Sequence, residues 1–373
     1  MRARSGEAGS AGAQRERAHR IIVRHGWNPT AYQILNPGID YWFAPDAEAV
    51  AGYVDRRGVR VVAGAPICAP GRLAAAALQL ETQAAAAGLE VCYFCAGHRL
   101  RSVLGGSPPH RSVVIGAQPS WHPGRWNEML ATHASLRGQL NRARNKGVAI
   151  RGMDPVEAAR DPRLHRCLEE WLGTRGLPPL HFLVETRALE APYERRVHVA
   201  ERAGEAVAFL VASPVPARGG WLVEQAVRGS AAPNGTVELL IDAAVREAAA
   251  RGDRYFTLGL SPLSARAGSP GEGGPAWLRF LLAWMRAHAH RFYDFQGLER
   301  FKAKFRPARW EPIFAISAGP RFTPRMLYAI ADAFSDRSVA STLARALAGA
   351  ARQELRWATR RMPAATRTRG AGT

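Results

Sequence analysis

Cysteine is scarce in this 373-residue chain: the four cysteines are too few to staple a fold with disulfides. Cys92 and Cys95 have the spacing of a redox or zinc pair, but they lie in the apolar run 89–95, which is typical of a buried strand. No second pair completes a zinc site. We therefore predict that both are core residues and that the protein holds no metal.

Acidic residues are also few. The chain has 51 Lys and Arg against 31 Asp and Glu, a formal net charge of +20. Such an excess favours polyanionic partners, either nucleic acid or anionic lipid headgroups. The alternative is that a GC-rich genome inflates the arginine content, which the abundant Ala and Gly would fit. That alternative leaves the shortage of acids unexplained.

Long apolar runs are missing as well. None reaches the ~20 residues that a transmembrane helix needs, and no apolar signal-peptide segment follows the N-terminal arginines. We expect a cytoplasmic protein with a peripheral contact to the inner membrane face.

No phosphate-binding Walker loop and no G-x-S-x-G nucleophile elbow occurs in the sequence. With 47% hydrophobic residues, the chain has enough apolar material for two packed domains.

The two halves of the chain repeat one order of elements: hairpin, strand, helix, strand. In the first half, the predicted strands are 49–54, 59–63 and 89–94, with a helix at about 71–87. In the second half, they are 197–201, 206–212, 221–227 and 255–260, with a helix at 237–251. This is the core order of the GNAT acyltransferase fold. The prediction is an α/β (α+β) protein of two fused GNAT-like domains, each a mixed twisted sheet flanked by helices.

The predicted boundaries follow from this repeat and from composition. They are a disordered basic N-terminus (1–20), an N-terminal GNAT-like domain (21–134), a basic connecting helix (135–150), a C-terminal catalytic GNAT-like domain (151–320), a helical tail (321–361) and a disordered basic tail (362–373). Two amphipathic stretches of the tail, 324–334 and 338–357, are expected to pack on the second domain or to lie on an anionic membrane.

The connecting helix carries four cations and no acid, namely Arg137, Arg142, Arg144 and Lys146. One interpretation is a surface helix docked by its leucines. The other is a basic ridge that contacts RNA or another phosphate, which we favour because an uncompensated run of like charges is costly.

Segment 292–312 interleaves six aromatic residues with five Lys or Arg and three acids. Aromatics among cations suit base stacking combined with phosphate contact. A solvated basic loop with a few anchoring rings would have the same composition. The spacing of residues therefore leaves both interpretations open.

The turn Pro233-Asn-Gly-Thr236 precedes the main helix of the second half. Thr236 is predicted to cap that helix, and Glu238 falls in its first turn, where the helix dipole favours an acid. Glu224 and Arg228 lie on the preceding strand, four residues apart, so one strand face can project both toward a cleft. A well-capped helix alone would also explain the turn.

These three pieces, 232–236, 257–263 and 292–312, together resemble the C-terminal catalytic domain of phosphatidylglycerol lysyltransferases (aminoacyl-phosphatidylglycerol synthases). The resemblance extends from about residue 30 to 318. It implies a cleft between the two domains that admits lipid from one side and the end of an aminoacyl-tRNA from the other. The implied reaction transfers the aminoacyl group to a lipid hydroxyl of an anionic phospholipid, without a cofactor.

The resemblance implies catalytic residues around the turn. Arg228 and Asn234 would stabilise the tetrahedral oxyanion or contact the lipid phosphate. Glu224 and Glu238 would hold the aminoacyl ammonium or act as the base. His181 is a second candidate base, although a lone histidine is more often structural.

Segment 292–312 would supply the substrate-binding residues. Tyr293, Lys302, Lys304 and Arg306 would grip the terminal nucleotides or their phosphates, and Glu311 would contact substrate or pair with a nearby cation.

The sequence departs from the expected family pattern at two acids. Gln225-Ala-Val-Arg228 replaces Asp-Leu-x-Arg, and Gly64-Ala-Pro66 replaces Gly-Asp-Pro. The flippase part of the best-known members is also missing, so we expect peripheral access to lipid or another acceptor. Two other functions stay open: an N-acyltransferase using an acyl thioester, and a non-catalytic protein that binds RNA or anionic membranes. The stretch 228–235 does not match the coenzyme A turn of GNAT enzymes, which speaks against the thioester.

Overall fold

The computed structural model describes residues 2–105, 109–174, 182–183, 188–190, 194–288 and 293–334. In this part of the chain the helices are α1 (Arg2–His25), α2 (Leu73–Ala86), α3 (His98–Val103), α4 (Trp126–Ala131), α5 (Ala134–Asn145), α6 (Pro155–Ala158), α7 (Pro162–Gly173), α8 (Thr236–Ala250), α9 (Ala276–His288), α10 (Phe295–Ala303) and α11 (Pro324–Ala333). The strands are β1 (Asp40–Phe43), β2 (Val50–Arg56), β3 (Val59–Ala63), β4 (Glu90–Ala96), β5 (Arg111–Trp121), β6 (Val148–Met153), β7 (Arg196–Arg202), β8 (Glu205–Val215), β9 (Gly220–Arg228), β10 (Tyr255–Thr257), β11 (Ser261–Pro262) and β12 (Arg309–Ser317).

The twelve strands of the described residues form one mixed sheet. Its order is β1-β2-β3-β4-β12-β5-β10-β9-β8-β7-β6, and β11 pairs with β5 beside this path. Two neighbouring pairs are parallel, β3 with β4 and β9 with β10. Each parallel pair is joined through a helix, α2 in the first half and α8 in the second, as parallel strands require. The predicted mixed α/β fold and its internal repeat are confirmed.

The two halves exchange strands at the middle of the sheet. β5 comes from the first half but pairs with β10 of the second, with Ser120 opposite Thr257. β12 comes at the end of the second half and inserts between β4 and β5. Because one sheet runs through both halves, the domain boundaries drawn from sequence remain predictions.

The core lies on both faces of this sheet. Val61 and Val62 are adjacent in β3 and belong to two different buried clusters. Phe209 and Leu210 are likewise adjacent in β8 and belong to two different buried clusters. Alternation of this kind follows from the strand period of two, and it requires helices on both faces.

Cys92 and Cys95 lie in β4, as predicted for core residues. Cys92 is fully buried, and burial raises the pKa of its thiol to about 12. Burial also raises the pKa of Cys95. Thiols with such raised pKa values are poor nucleophiles and poor metal ligands at neutral pH.

The N-terminus differs from the prediction of disorder over 1–20, because Arg2–His25 is helical. Ala18 and Ile22 are fully buried against the first-half core, and His19 Nε2 lies 2.8 Å from a Glu194 carboxylate oxygen. Alanine-rich sequence favours helix. Among the described side chains of this helix, the buried apolar ones (Ala18, Ile21 and Ile22) lie toward its C-terminal end, and overall composition does not reveal them.

The C-terminal side also differs in its packing partner. Met326, Ala329 and Ile330 of α11 are buried, and the helix packs on β2 and β3 of the first half. The second predicted stretch, 338–357, and the basic tail, 362–373, lie outside the described residues.

Candidate active site

A cavity of about 1250 Å³ lies between the two halves. Both halves contribute to its wall, which is mostly apolar on the side of α9 and α11. Five of the residues that the sequence predicted for the site line this cavity: Glu224, Arg228, Tyr293, Lys302 and Glu311. The sheet positions them, because β9 and β12 lie near its centre.

Glu224 is held by an arginine that the sequence analysis missed. The Arg195 guanidinium donates two hydrogen bonds to the Glu224 carboxylate, at 3.2 and 3.3 Å. The two side chains are 1% and 5% exposed. Arg195 directly precedes β7, and no local pattern marks it as a site residue. Only the pairing of β7, β8 and β9 brings it to the carboxylate.

Arg228 lies four residues further along β9 and also faces the cavity. Its Nη2 donates to the Ala232 carbonyl at 2.9 Å and to Asn234 Oδ1 at 3.0 Å. The turn therefore orients the guanidinium, and Asn234 acts on it rather than lining the cavity.

The turn itself is shaped by Gly235, which has φ 96° and directly precedes α8. A Cβ at this position would lie 2.3 Å from the Gln139 carbonyl oxygen of α5. Glycine is thus needed both for the left-handed backbone and for the close approach of two helices. Thr236 is not the cap that the sequence predicted, because its hydroxyl donates to the Pro233 carbonyl at 2.7 Å.

Lys302 is the most unusual group in the cavity wall. It is 6% exposed and donates to the carbonyl oxygens of Gly259 and Leu260, at 2.9 and 2.8 Å. Burial lowers the pKa of its ammonium to about 7. Desolvation disfavours the charged form, and neither of these two carbonyl oxygens carries the negative charge that would restore it.

A neutral amine suits this position. It has two N–H donors, which match the two carbonyls, and one lone pair that remains as an acceptor. The family resemblance implied that Lys302 grips the terminal nucleotides or their phosphates. The structure instead buries it, and at neutral pH it can take up a proton.

Glu311 pairs with a second arginine that was not predicted. Arg218 donates to both Glu311 carboxylate oxygens, at 2.6 and 2.9 Å. The same guanidinium lies 3.5 Å from the Tyr255 ring centroid. This agrees with the structural pairing considered for Glu311, and it fixes the carboxylate at the cavity wall.

Glu238 and Lys304 pair with each other. Lys304 Nζ donates to Glu238 Oε1 at 2.7 Å and to Gln139 Oε1 at 3.2 Å. Neither residue lines the described cavity. Arg306 is exposed, and its Nη1 donates to the Thr132 carbonyl at 3.4 Å.

The basic connecting helix is α5, and its charges are partly compensated. Arg144 donates to Asp242 of α8 at 3.0 Å, and Arg137 donates to the carbonyls of the preceding helix, α4. Arg142 and Lys146 are exposed. The ridge is thus less uncompensated than the sequence suggested, because α8 supplies an acid that local charge counting could not see.

Tyr293 lies at the cavity with its ring 4.9 Å from that of Phe295, measured between centroids. His181 lies outside the described residues.

Residues 19–317 match the profile of one protein family, described as phosphatidylglycerol lysyltransferase, C-terminal. The chain belongs to this family. Membership in the phosphatidylglycerol lysyltransferase C-terminal family accounts for a transferase fold around the central cavity.

Solved structures agree with the family assignment at the level of fold. The C-terminal domain of a protein assigned as a lysylphosphatidylglycerol synthetase from Agrobacterium fabrum superposes with a TM-score of 0.73 at 19% identity, covering 87% of this chain and 98% of that one. L-PGS from Bacillus licheniformis gives 0.68 at 17% identity, covering 86% and 97%. FemX gives 0.53 at 8% identity, covering 85% and 98%. Comparison with curated protein sequences gives no significant match.

Across the described residues, no helix combines the length and apolarity that crossing a membrane requires.

Proposed function

We propose that this protein transfers an aminoacyl group from an aminoacyl-tRNA to the hydroxyl of an anionic glycerolipid, with phosphatidylglycerol as the expected acceptor. The observation that carries the proposal is the buried Lys302, which has a pKa of about 7 and lines the same cavity as Glu224 and Arg228. An enzyme that acts on an activated ester needs a base, a site for the ammonium and a group for the oxyanion. This cavity offers one residue for each.

Neutral Lys302 acts as the base. The lipid hydroxyl attacks the carbonyl carbon of the aminoacyl ester while its proton moves to Lys302 Nζ. The tetrahedral intermediate then collapses, the bond to the ribose oxygen breaks, and Lys302 returns the proton to that oxygen. Protons therefore balance over one turnover, and the lysine finishes neutral.

Arg228 stabilises the oxyanion of the intermediate. Its hydrogen bonds to the turn fix the guanidinium in place before the reaction, which is the condition for strong electrostatic stabilisation. Glu224 binds the aminoacyl ammonium. Arg195 holds this carboxylate in one orientation by two hydrogen bonds.

The transfer RNA would contact the exposed cations Arg142 and Lys146 on α5 and Arg306 near the end of α10. The three side chains are on the outer surface, where screened contacts with phosphate weaken as salt rises. Their contribution is therefore to binding and not to the chemical step.

A transfer assay tests the proposal. Purified protein is incubated with a mixed pool of radiolabelled aminoacyl-tRNAs and phosphatidylglycerol liposomes, and the lipids are then extracted. We expect label in the lipid fraction, lost in Arg228→Ala and kept in Arg246→Ala, a control arginine on α8. Label that stays on RNA or is released only as free amino acid would refute transfer to lipid.

A further inference from the structure

Three polar groups without partners lie together on the first-half wall of the cavity. Asn28 Nδ2, Thr30 Oγ1 and Arg99 Nη2 are each buried, and none has a hydrogen-bond partner in the part of the chain that is described. All three side chains line the cavity. Buried polar groups in folded proteins are almost always hydrogen-bonded, so three that share a cavity wall indicate a ligand.

Asn28 and Thr30 converge above Gly64. A Cβ at Gly64 would lie 2.7 Å from Asn28 Nδ2 and 2.4 Å from Thr30 Oγ1. Gly64 has φ 75°, which also favours glycine. The two polar atoms therefore approach the same point, and the missing side chain leaves space beside them.

Arg99 supplies the charge of this cluster. Its guanidinium carbon lies 5.1 Å from the centroid of the Trp27 ring, and none of the ion pairs among the described residues gives it a carboxylate. Asn28, Ala65 and Arg99 also line a small recess next to the cavity, which contains no acidic residue. A partly desolvated guanidinium is stabilised by an anion.

We propose that Asn28, Thr30 and Arg99 bind the phosphodiester of the acceptor lipid. The guanidinium can donate two parallel hydrogen bonds to phosphate oxygens, and the amide and hydroxyl add two more donors. Assigning the phosphodiester to a lipid rests on the proposed function. The preference for an oxyanion rests on the three groups alone.

Calorimetric titration with glycerophosphoglycerol, the deacylated headgroup, tests this site without a tRNA. Arg99→Gln removes the charge, and Ala65→Asp places a carboxylate in the recess that Arg99 lines. Each should weaken binding about tenfold or more, the usual effect of losing a charged hydrogen bond. Arg101→Gln on the same helix is the control, because that side chain is exposed and lies over Phe314; its binding should equal wild type.

Unchanged affinity in Arg99→Gln, with an unaltered unfolding midpoint, would overturn the site. Inorganic phosphate that binds as tightly as glycerophosphoglycerol would overturn the assignment to a phosphodiester and indicate free phosphate. The two proposals fail separately. Headgroup binding through Arg99 without any lipid labelling would refute only the proposed function, whereas lipid labelling with binding insensitive to Arg99 would refute only this site.

A second, independent feature is the outer face of α9. Trp277, Phe280 and Trp284 follow one another at helical spacing and are 39%, 75% and 51% exposed. Leu278 and Leu282, on the inner face, line the cavity. Large aromatics are rarely left exposed in a row, and such a stripe marks an interaction surface.

The geometry points to a bilayer surface as the partner of this aromatic face. Segment 276–288 contains two arginines and no acid, and the whole chain is strongly basic, so anionic headgroups would complement it. Trp and Phe are the residues that settle at the membrane interface. Because the inner face of the same helix lines the cavity, this docking would bring the cavity next to the lipid.

Sedimentation with vesicles of phosphatidylglycerol and phosphatidylcholine tests the surface. The double variant Phe280→Ser/Trp284→Ser should lose most vesicle binding, while Leu78→Ser, which changes an exposed leucine of α2, should bind like wild type. The double variant should still transfer to monomeric dihexanoyl-phosphatidylglycerol. Equal vesicle binding by both variants would overturn the proposal. So would a wild-type protein that is dimeric in solution when the double variant is monomeric, because the aromatic face would then be a dimer interface.

Discussion

The Arg195 guanidinium donates two hydrogen bonds to the Glu224 carboxylate in a pair that is almost sealed from solvent. Burying two charges is favourable only while both are present, because removing one leaves the other without compensation. Arg195→Met should therefore lower the free energy of unfolding by about 3–5 kcal/mol.

Urea unfolding measures this loss, and the neighbouring arginine provides a control. Arg196 pairs with Glu247, whose side chain is 40% exposed. Arg196→Met should cost no more than about 1 kcal/mol, as for other solvent-screened pairs. Equal losses of unfolding free energy in the two variants would show that the Arg195–Glu224 pair behaves like a solvent-screened pair and not like a buried one.

Lys302 makes stability depend on pH in a defined direction. Its pKa in the folded protein is about 7, below the unfolded value of about 10.4. Between these values the unfolded chain binds a proton that the folded chain has lost, so the free energy of unfolding contributed by Lys302 rises with pH across this window. Below pH 7 the cost of the buried charge is present in full.

Urea unfolding of wild type and Lys302→Met across neutral and alkaline pH checks this. As the pH rises from about 7, the free energy of unfolding of wild type should increase relative to that of Lys302→Met. Curves of stability against pH that stay parallel would mean that Lys302 has an ordinary pKa.

In the transfer reaction, kcat/KM should rise up to about pH 7 and then level off, since the neutral amine is the base.

The Glu238–Lys304 pair tests whether these two residues have a structural role or a catalytic one. Both residues were predicted for the site, yet they pair with each other and do not line the cavity. Glu238→Gln and Lys304→Met should each leave kcat/KM within about threefold of wild type and cost about 1 kcal/mol of stability. A drop in kcat/KM of a hundredfold in either, with the fold intact, would return that residue to the active site.

Phe305 anchors the segment that carries Lys302. It is fully buried, stacks on Trp126 at 6.2 Å between centroids and meets Phe301 edge-on at 5.4 Å. Phe305→Ala should lower the free energy of unfolding by about 3–5 kcal/mol through cavity formation. Phe280→Ala, at a 75% exposed position, should change it by less than about 0.5 kcal/mol. Chemical denaturation of the two variants measures both changes, and equal losses would contradict the anchoring role of Phe305.

The repeat of elements was predictable because it rests on local periodicity. Strand 59–63 matches β3, and the helix expected at 237–251 is α8, displaced by one residue at each end. The strand exchange was not predictable. Nothing local to Arg309–Ser317 indicates that it pairs with β4 and β5, which lie some two hundred residues earlier in the chain.

The site divides in the same way. Spacing alone placed Glu224 and Arg228 on one face of a strand, and both line the cavity. The partners Arg195 and Arg218 are distant in sequence and carry no motif. Lys302 was recognised by its aromatic neighbours, but its burial and lowered pKa depend on how α10 packs on residues 259–260, which composition cannot show.

The central claim is that Lys302 is the base for transfer to a lipid hydroxyl, and a single-turnover assay tests it most directly. Wild type, Lys302→Met and the control Lys304→Met are each mixed with radiolabelled aminoacyl-tRNA and phosphatidylglycerol vesicles. We expect Lys302→Met to label lipid at least about a hundredfold more slowly, as loss of a general base does, with Lys304→Met close to wild type. A Lys302→Met rate equal to wild type would contradict the account.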